Sequence, residues 1–293
     1  QNPWYSASMS AEGGGTLYFE DWVSNAQYNA VAPGNESPLD NGGLGLQLLS
    51  NPADPQFSPY GWHDANGLPG PEFFDTRGNN VDAQEDRANN SAQGAPAPSN
   101  RPNGGPNLIF DFPYNSNQQP ISYTDAAITN LFVWNNIAHD VFASGGFTEE
   151  AGNFQVKNYS GLGQGGDSVL ALGQVADNGL VAGNNAFFAT PPDGQQPTIA
   201  MFTFDMDLSD FIVDSQNAQT GGVPPTYSPR RDADLAVDVI VHEYGHGVTN
   251  RLTGGPANVG ALNALQSAGM GEGWSDYFSL HFLQEASDQP NDA

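Results

Sequence analysis

Residues 238–252 read DVIVHEYGHGVTNRL, and no other stretch constrains the fold as tightly. On a helix, His242 and His246, four residues apart, project from one face about a turn apart. In that geometry two imidazoles can reach one Zn2+ at roughly 2.0–2.1 Å. Glu243 projects to one side, where it can accept a proton from a water on the metal. The apolar runs Leu235-Ala236-Val237 and Val239-Ile240-Val241 supply a buried face, and Gly245 leaves space beside the ion. The plainer alternative is a surface helix with incidental histidines. Two protein ligands do not complete a zinc site, so a second element must bring a third.

Downstream the candidates are Glu272, Asp276, His281 and Glu285. Glu272 sits in GMGEGWSDYF (269–278 with its flanks), where glycines on either side permit close approach to another helix. Asp276 follows one turn later on the same face, the place for a carboxylate that accepts a hydrogen bond from a ligand histidine's second nitrogen. His281 needs a different face and ranks below Glu272. Asp238, one turn before His242, faces either the ligand sphere or solvent. A His, His, Glu set leaves a fourth position for water, the mark of a catalytic rather than a structural zinc.

Composition narrows the partners. Asp+Glu 33 against Lys+Arg 7 gives a net charge of −26, and Lys157 is the sole lysine, which argues against nucleic acid or an anionic membrane as partner. No run of 18 or more apolar residues exists to span a bilayer. With no cysteine, disulfides and thiolate zinc sites are excluded. Acidic clusters such as DMDLSD (205–210) leave room for Ca2+, yet no loop has the spaced DxDxDG pattern with a closing Glu, so no calcium site is assigned. There is no initiator Met and no leader, so any signal peptide is expected outside these residues.

Along the chain, residues 4–23 predict a hairpin, two aromatic-rich runs around EGGG. Residues 27–120 have little helical periodicity, and 89–107 reads as an exposed loop. Ala127, Leu131, Trp134, Ala138 and Phe142 predict a buried helix from about 123, with Asp125 as N-cap and Gly145-Gly146 as stop. His139 within it reads as hydrogen-bonded structure rather than as a ligand. FQVKNY, SVLALGQVA, AFFATPP and PTIAMFTFDM, between 152 and 213, predict strands of an antiparallel or mixed sheet. Helices are expected over about 232–253, starting near Asp232, and about 270–286. A sheet followed by helices is an α+β pattern.

The chain resembles the fungalysins, secreted zinc endopeptidases with a thermolysin-like core. The resemblance rests on HEYGHGVTNRLTGGP and GMGEGWSDYF, and also on SPYGWHD (58–64), RGNNV (77–81), residues 128–155 and NNAFFATPPDG (184–194). It implies His242, His246 and Glu272 as ligands of one catalytic Zn2+ and Glu243 as general base. It further implies that Asn185 and Ala186 lie on an edge strand pairing with substrate backbone; otherwise Asn185 is an ordinary turn residue. Residues 1–26 resemble the end of an inhibitory propeptide, with the catalytic domain over 27–293. The helical C-terminal subdomain of the family, which carries the oxyanion-stabilising residue, is expected to be missing, and His281 is no obvious substitute. The implied protein is an extracellular endopeptidase acting on proteins or peptides. The rival readings are an incomplete or inactive zinc-binding fragment, or zymogen piece, of the same fold, and an acidic calcium-binding surface protein.

Overall fold

The computed structural model describes residues 5–10, 13, 16–21, 26–89, 100–177, 183–206 and 226–284. Glu285, Asp207–Asp210 and most of the loop expected over 89–107 lie outside them. The expected N-terminal hairpin is present as strand β1 (Tyr5–Met9) antiparallel to β2 (Thr16–Asp21). A three-stranded sheet follows, in which β3 (Gln27–Ala30) is antiparallel to β4 (Gln47–Ser50), beyond the one-turn helix α1 (Asp40–Gly43), and parallel to β6 (Ile109–Phe110).

The main sheet is mixed. β5 (Val81–Glu85), β7 (Val169–Val175) and β9 (Thr198–Met206) run parallel, while β8 (Ala186–Ala189) and β10 (Thr226–Asp232) are antiparallel to β9. Three of the four runs expected as strands are strands. FQVKNY is not one, because its backbone groups bond to loops: Val156 N donates to Asn79 O at 2.7 Å and Gln155 N to Asp167 Oδ1 at 3.2 Å.

Helix α2 (Thr124–Ser144) lies between β6 and β7 in sequence and is buried on nearly every face. A helix buried all round must satisfy its polar groups internally. Asn130 accepts from Val31 N at 2.8 Å and donates to Asp234 O at 2.7 Å, so one amide joins the end of β3 to the residues just ahead of the helix that starts at Val237. Trp134 donates to Val31 O at 3.0 Å. His139 contacts Asp140 Oδ1 at 2.9 Å and Asn153 Nδ2 at 3.3 Å, the structural role expected of it. Asp125 does not cap this helix; it lies in the first turn behind Tyr123, and Gly145 follows the last turn as expected.

SPYGWHD and RGNNV form the scaffold around α2. Asp140 accepts from Asp54 N, Ser58 Oγ and Trp62 Nε1 at 3.0, 2.7 and 3.0 Å. Asn80 donates to Ser58 Oγ and Asn136 Oδ1, both at 3.1 Å. His63 is buried in a stack with Phe110 and Phe132, bonded to the Tyr28 hydroxyl and Arg77 O, each at 2.9 Å.

Two further helices close the fold. α3 (Val237–Gly254) begins five residues later than expected. Asp232 accepts from Asp234 N and caps a 3-10 turn over Ala233–Leu235, and extended Ala236 intervenes before the helix. α4 (Leu265–Leu283) begins five residues earlier than expected.

Burial pushes His63 down to about 4, although its bond to Arg77 O and the charge of Asp75 oppose the shift. The unfolded chain therefore takes up this proton first as pH falls. The stability tied to neutral His63 is fully present above about pH 6.5 and is lost progressively towards pH 4, by about 3 kcal/mol in all. Urea unfolding at pH 7, 6, 5 and 4 should show that acid-side slope reduced in His63→Gln; an unchanged slope would place its origin elsewhere.

Candidate metal centre

α3 and α4 touch through small residues. The buried positions of α4 are Gly271, Ser275 and Ser279, one every turn. At their crossing, a Cβ added to Gly245 would lie 3.0 Å from Ser275 Oγ and 3.2 Å from its Cα. Ser279 Oγ donates to Asp238 O at 2.8 Å, and Phe278 packs edge-on against Phe142 with centroids 5.1 Å apart. This close seam brings the residues beside it, Glu272 and Asp276, up to the histidines of α3.

His242 and His246 project from α3 with ring centroids 4.8 Å apart. Glu272 Oε2 lies 3.2 Å from His242 Nε2 and 3.4 Å from His246 Nε2. Among the described residues these three form the one group of His or carboxylate side chains whose ligand atoms converge, all within 4.8 Å. Donors bound at about 2.0–2.1 Å around a tetrahedral ion stand roughly 3.3 Å apart, which is the spacing of both contacts to Glu272. Two imidazoles and one carboxylate are also the donor set that Zn2+ takes with one position open. The residues fit the ion.

Asp276 Oδ1 lies 2.8 Å from His242 Nδ1, on the nitrogen turned away from Glu272. That contact selects the tautomer with Nε2 free for a metal. Burial holds His246 below its ordinary value, so its ring is biased to the neutral form that ligates. Glu243, between His242 and His246 in sequence, is 7% exposed. Burial pushes its carboxyl up to about 7, against the opposing charge of His242 and helped by that of Glu272. A bound cation would draw it back down.

The other candidates separate from the centre. His281 is exposed on another face of α4, stacked on Tyr277. Asp238 is not solvent-facing; its carboxyl is half-buried against that of Glu36, and burial holds it above the usual carboxylate range against the charge of His242. Asn185 is exposed at the entry to β8, its carbonyl accepting from Phe202 N at 3.2 Å. Ala186 pairs with Met201, and β8 has no second strand partner among the described residues. No helix among these residues is long and apolar enough to cross a membrane.

Two features escaped the sequence reading. One is the part serines play in the helix seam: the close approach expected beside Glu272 runs on from Gly271 through Ser275 and Ser279 at intervals of four. The other is Arg251, a fully buried cation on α3 paired with Asp167 at 2.6 Å. Its signal was scarcity, as one of seven basic residues in a chain with 33 acids.

A helix presenting two histidines and a buried glutamate, crossed by a second helix delivering a carboxylate beside a mixed sheet, defines a metallopeptidase-type α+β protein. The chain belongs to the fungalysin metallopeptidase (M36) family, whose family model matches residues 27–293. It is 40% identical over 272 residues to extracellular metalloproteinase 4 of Trichophyton tonsurans, covering 92% of this chain and 36% of that one. Identity is 38% over 261 residues to extracellular metalloproteinase 2 of Arthroderma otae, covering 88% and 36%. Extracellular metalloproteinase 5 of Trichophyton tonsurans is 36% identical over 277 residues, covering 92% and 39%. The chain thus spans little more than a third of the length of these curated relatives.

The seam is testable through the metal. Gly245→Val should push α4 away from α3, costing about 1–3 kcal/mol of stability. It should also weaken binding of added Co2+, followed by its visible absorption, because Glu272 is withdrawn from the histidines. Undiminished Co2+ affinity would show that the seam does not set the cluster.

Proposed function

We propose that this chain is the metal-binding part of a secreted zinc endopeptidase that hydrolyses peptide bonds in protein or peptide substrates. The observation that carries the reading is the convergence of His242, His246 and Glu272 on one point beside a buried Glu243. His242, His246 and Glu272 would hold the zinc. Bound there, zinc lowers the pKa of a water and polarises the substrate carbonyl. Glu243 accepts the proton of the attacking water and returns it to the leaving amine, a role suited to a carboxylate shielded from solvent. Asp276 keeps His242 in the ligating tautomer. The edge of β8 left open among the described residues, entered through Asn185 and Ala186, would take substrate backbone as an added strand.

The same reading makes residues 27–293 catalytic-domain sequence and residues 1–26 the end of a propeptide that acts as inhibitor. Extracellular action is supported by the relatives' names. The charge of −26 disfavours nucleic acid and anionic membranes as partners. One observation favours a second reading, zinc binding by these 293 residues without turnover: the side chains of Glu272 and Asp276 are 61% and 67% exposed, so one side of the centre stands open.

Casein or peptide cleavage with and without a chelator, alongside zinc content, separates the two. One zinc with chelator-sensitive cleavage supports the peptidase; one zinc without cleavage supports the second reading. Glu243→Gln should keep its zinc while kcat falls about 10²- to 10⁴-fold. An unimpaired rate in that variant overturns the assignment of the base. Asp276→Asn should weaken zinc binding roughly 10- to 100-fold, measured by competition with a chelating dye; unchanged affinity would remove Asp276 from the site.

A further inference from the structure

The face of α3 just beyond His246 meets β8 and the loop after it, alongside Gly152, Phe154 and Asp167. Gly247 comes first. A Cβ there would lie 2.5 and 2.7 Å from the ring of Phe188 and 2.9 Å from that of Phe154. Phe188 also packs edge-on against Tyr244, with centroids 6.0 Å apart, so β8 lies along the turn of α3 that carries His246. Three residues on, Asn250 Nδ2 donates to Thr190 Oγ1 at 3.0 Å. One further, Arg251 donates to Pro191 O, Pro192 O and Gln195 O at 3.2, 3.3 and 3.2 Å. Its guanidinium is anchored in turn by Asp167 at 2.6 Å, Asp193 at 3.4 Å and the Phe154 ring at 4.6 Å.

Positions 247, 250 and 251 share one helical face, so the three contacts act as one clamp. On its other side β8 is tied to β9 over Ala186–Ala189. The strand has no freedom to rise or sink relative to the metal ligands without breaking one set of bonds. We infer that Gly247, Asn250 and Arg251 are positioning residues that fix the height of the β8 edge relative to the His242–His246–Glu272 cluster, and so the seating of an extended peptide chain. The inference rests on the peptidase reading above. Gly247 sets the closest distance, since any side chain there forces Phe188 outward. Arg251 and Asn250 prevent the opposite movement.

Gly247→Ala, in the zinc-loaded protein, tests this with two readouts. Hydrogen exchange at the Ala186–Ala189 amides should quicken about tenfold or more relative to β7 amides, because a raised strand pairs less well with β9. Cleavage of an extended peptide of roughly eight residues should lose about tenfold or more in kcat/KM, and a blocked dipeptide less than about threefold, since only the long chain uses the strand. Zinc content should not change. Gly247→Ala combined with Phe188→Leu, which removes the colliding ring edge, should restore both readouts. Asn250→Ala, which adds no bulk, should move them in the same direction by less, and serves if Gly247→Ala does not fold. Unchanged β8 exchange overturns the inference whatever the cleavage assay gives, and so do equal losses on both peptides. A parent protein that cleaves neither peptide overturns the peptidase reading instead.

Discussion

Three donor atoms from two helices have to meet at one point, and the close contact of α3 and α4 is what allows it. With a larger residue at position 245 or 275 the helix axes would separate, and Glu272 would no longer reach both imidazoles. The seam gains little from area burial, because Gly and Ser offer little apolar surface. It is held at its margins by Phe278 and Phe282 against Phe142, and by the hydroxyl of Ser279 on the Asp238 carbonyl. Close approach is thus bought with glycine and serine at the crossing, and adhesion comes from aromatic rings beside it.

α3 in turn is fixed by polar bonds that run through the core. Asn130 on α2 joins β3 to the residues ahead of α3, and Arg251 near its end joins it to two loops and, through Asp167, to the approach of β7. In so acidic a chain several arginines pair with nearby carboxylates. Arg101 holds Asp82 of β5 and Arg230 of β10 holds Asp177. A buried guanidinium with several carbonyl partners and a carboxylate orients what it binds more than it stabilises the fold as a whole. That suits a helix that holds His242, Glu243 and His246 in fixed register.

Much of this was legible in the sequence, and for reasons of spacing. His242 and His246 four apart, and Glu272 and Asp276 four apart between small residues, leave few arrangements other than two crossed helices. The long apolar periodicity of α2 was equally plain. What failed did so where tertiary partners override local pattern. FQVKNY alternates like a strand, but its backbone is claimed by Asn79 and Asp167 from distant segments. VDAQE, within the stretch that shows little helical periodicity, is β5 at the edge of the main sheet, where Arg101 pairs with Asp82 from nineteen residues away. The start of α3 was set too early, since Asp232 caps a 3-10 turn rather than the helix itself. The clamp on β8 needs distances that no local pattern encodes.

The claim on which the rest stands is that the two helices form a single three-ligand zinc site. Zinc-edge X-ray absorption on the protein, read together with anomalous diffraction, tests it directly. The account predicts one zinc with two imidazole nitrogens, one carboxylate oxygen and one water-derived oxygen at about 2.0–2.2 Å, located between His242, His246 and Glu272. A zinc found elsewhere, or one closed off by four protein side chains, would contradict it.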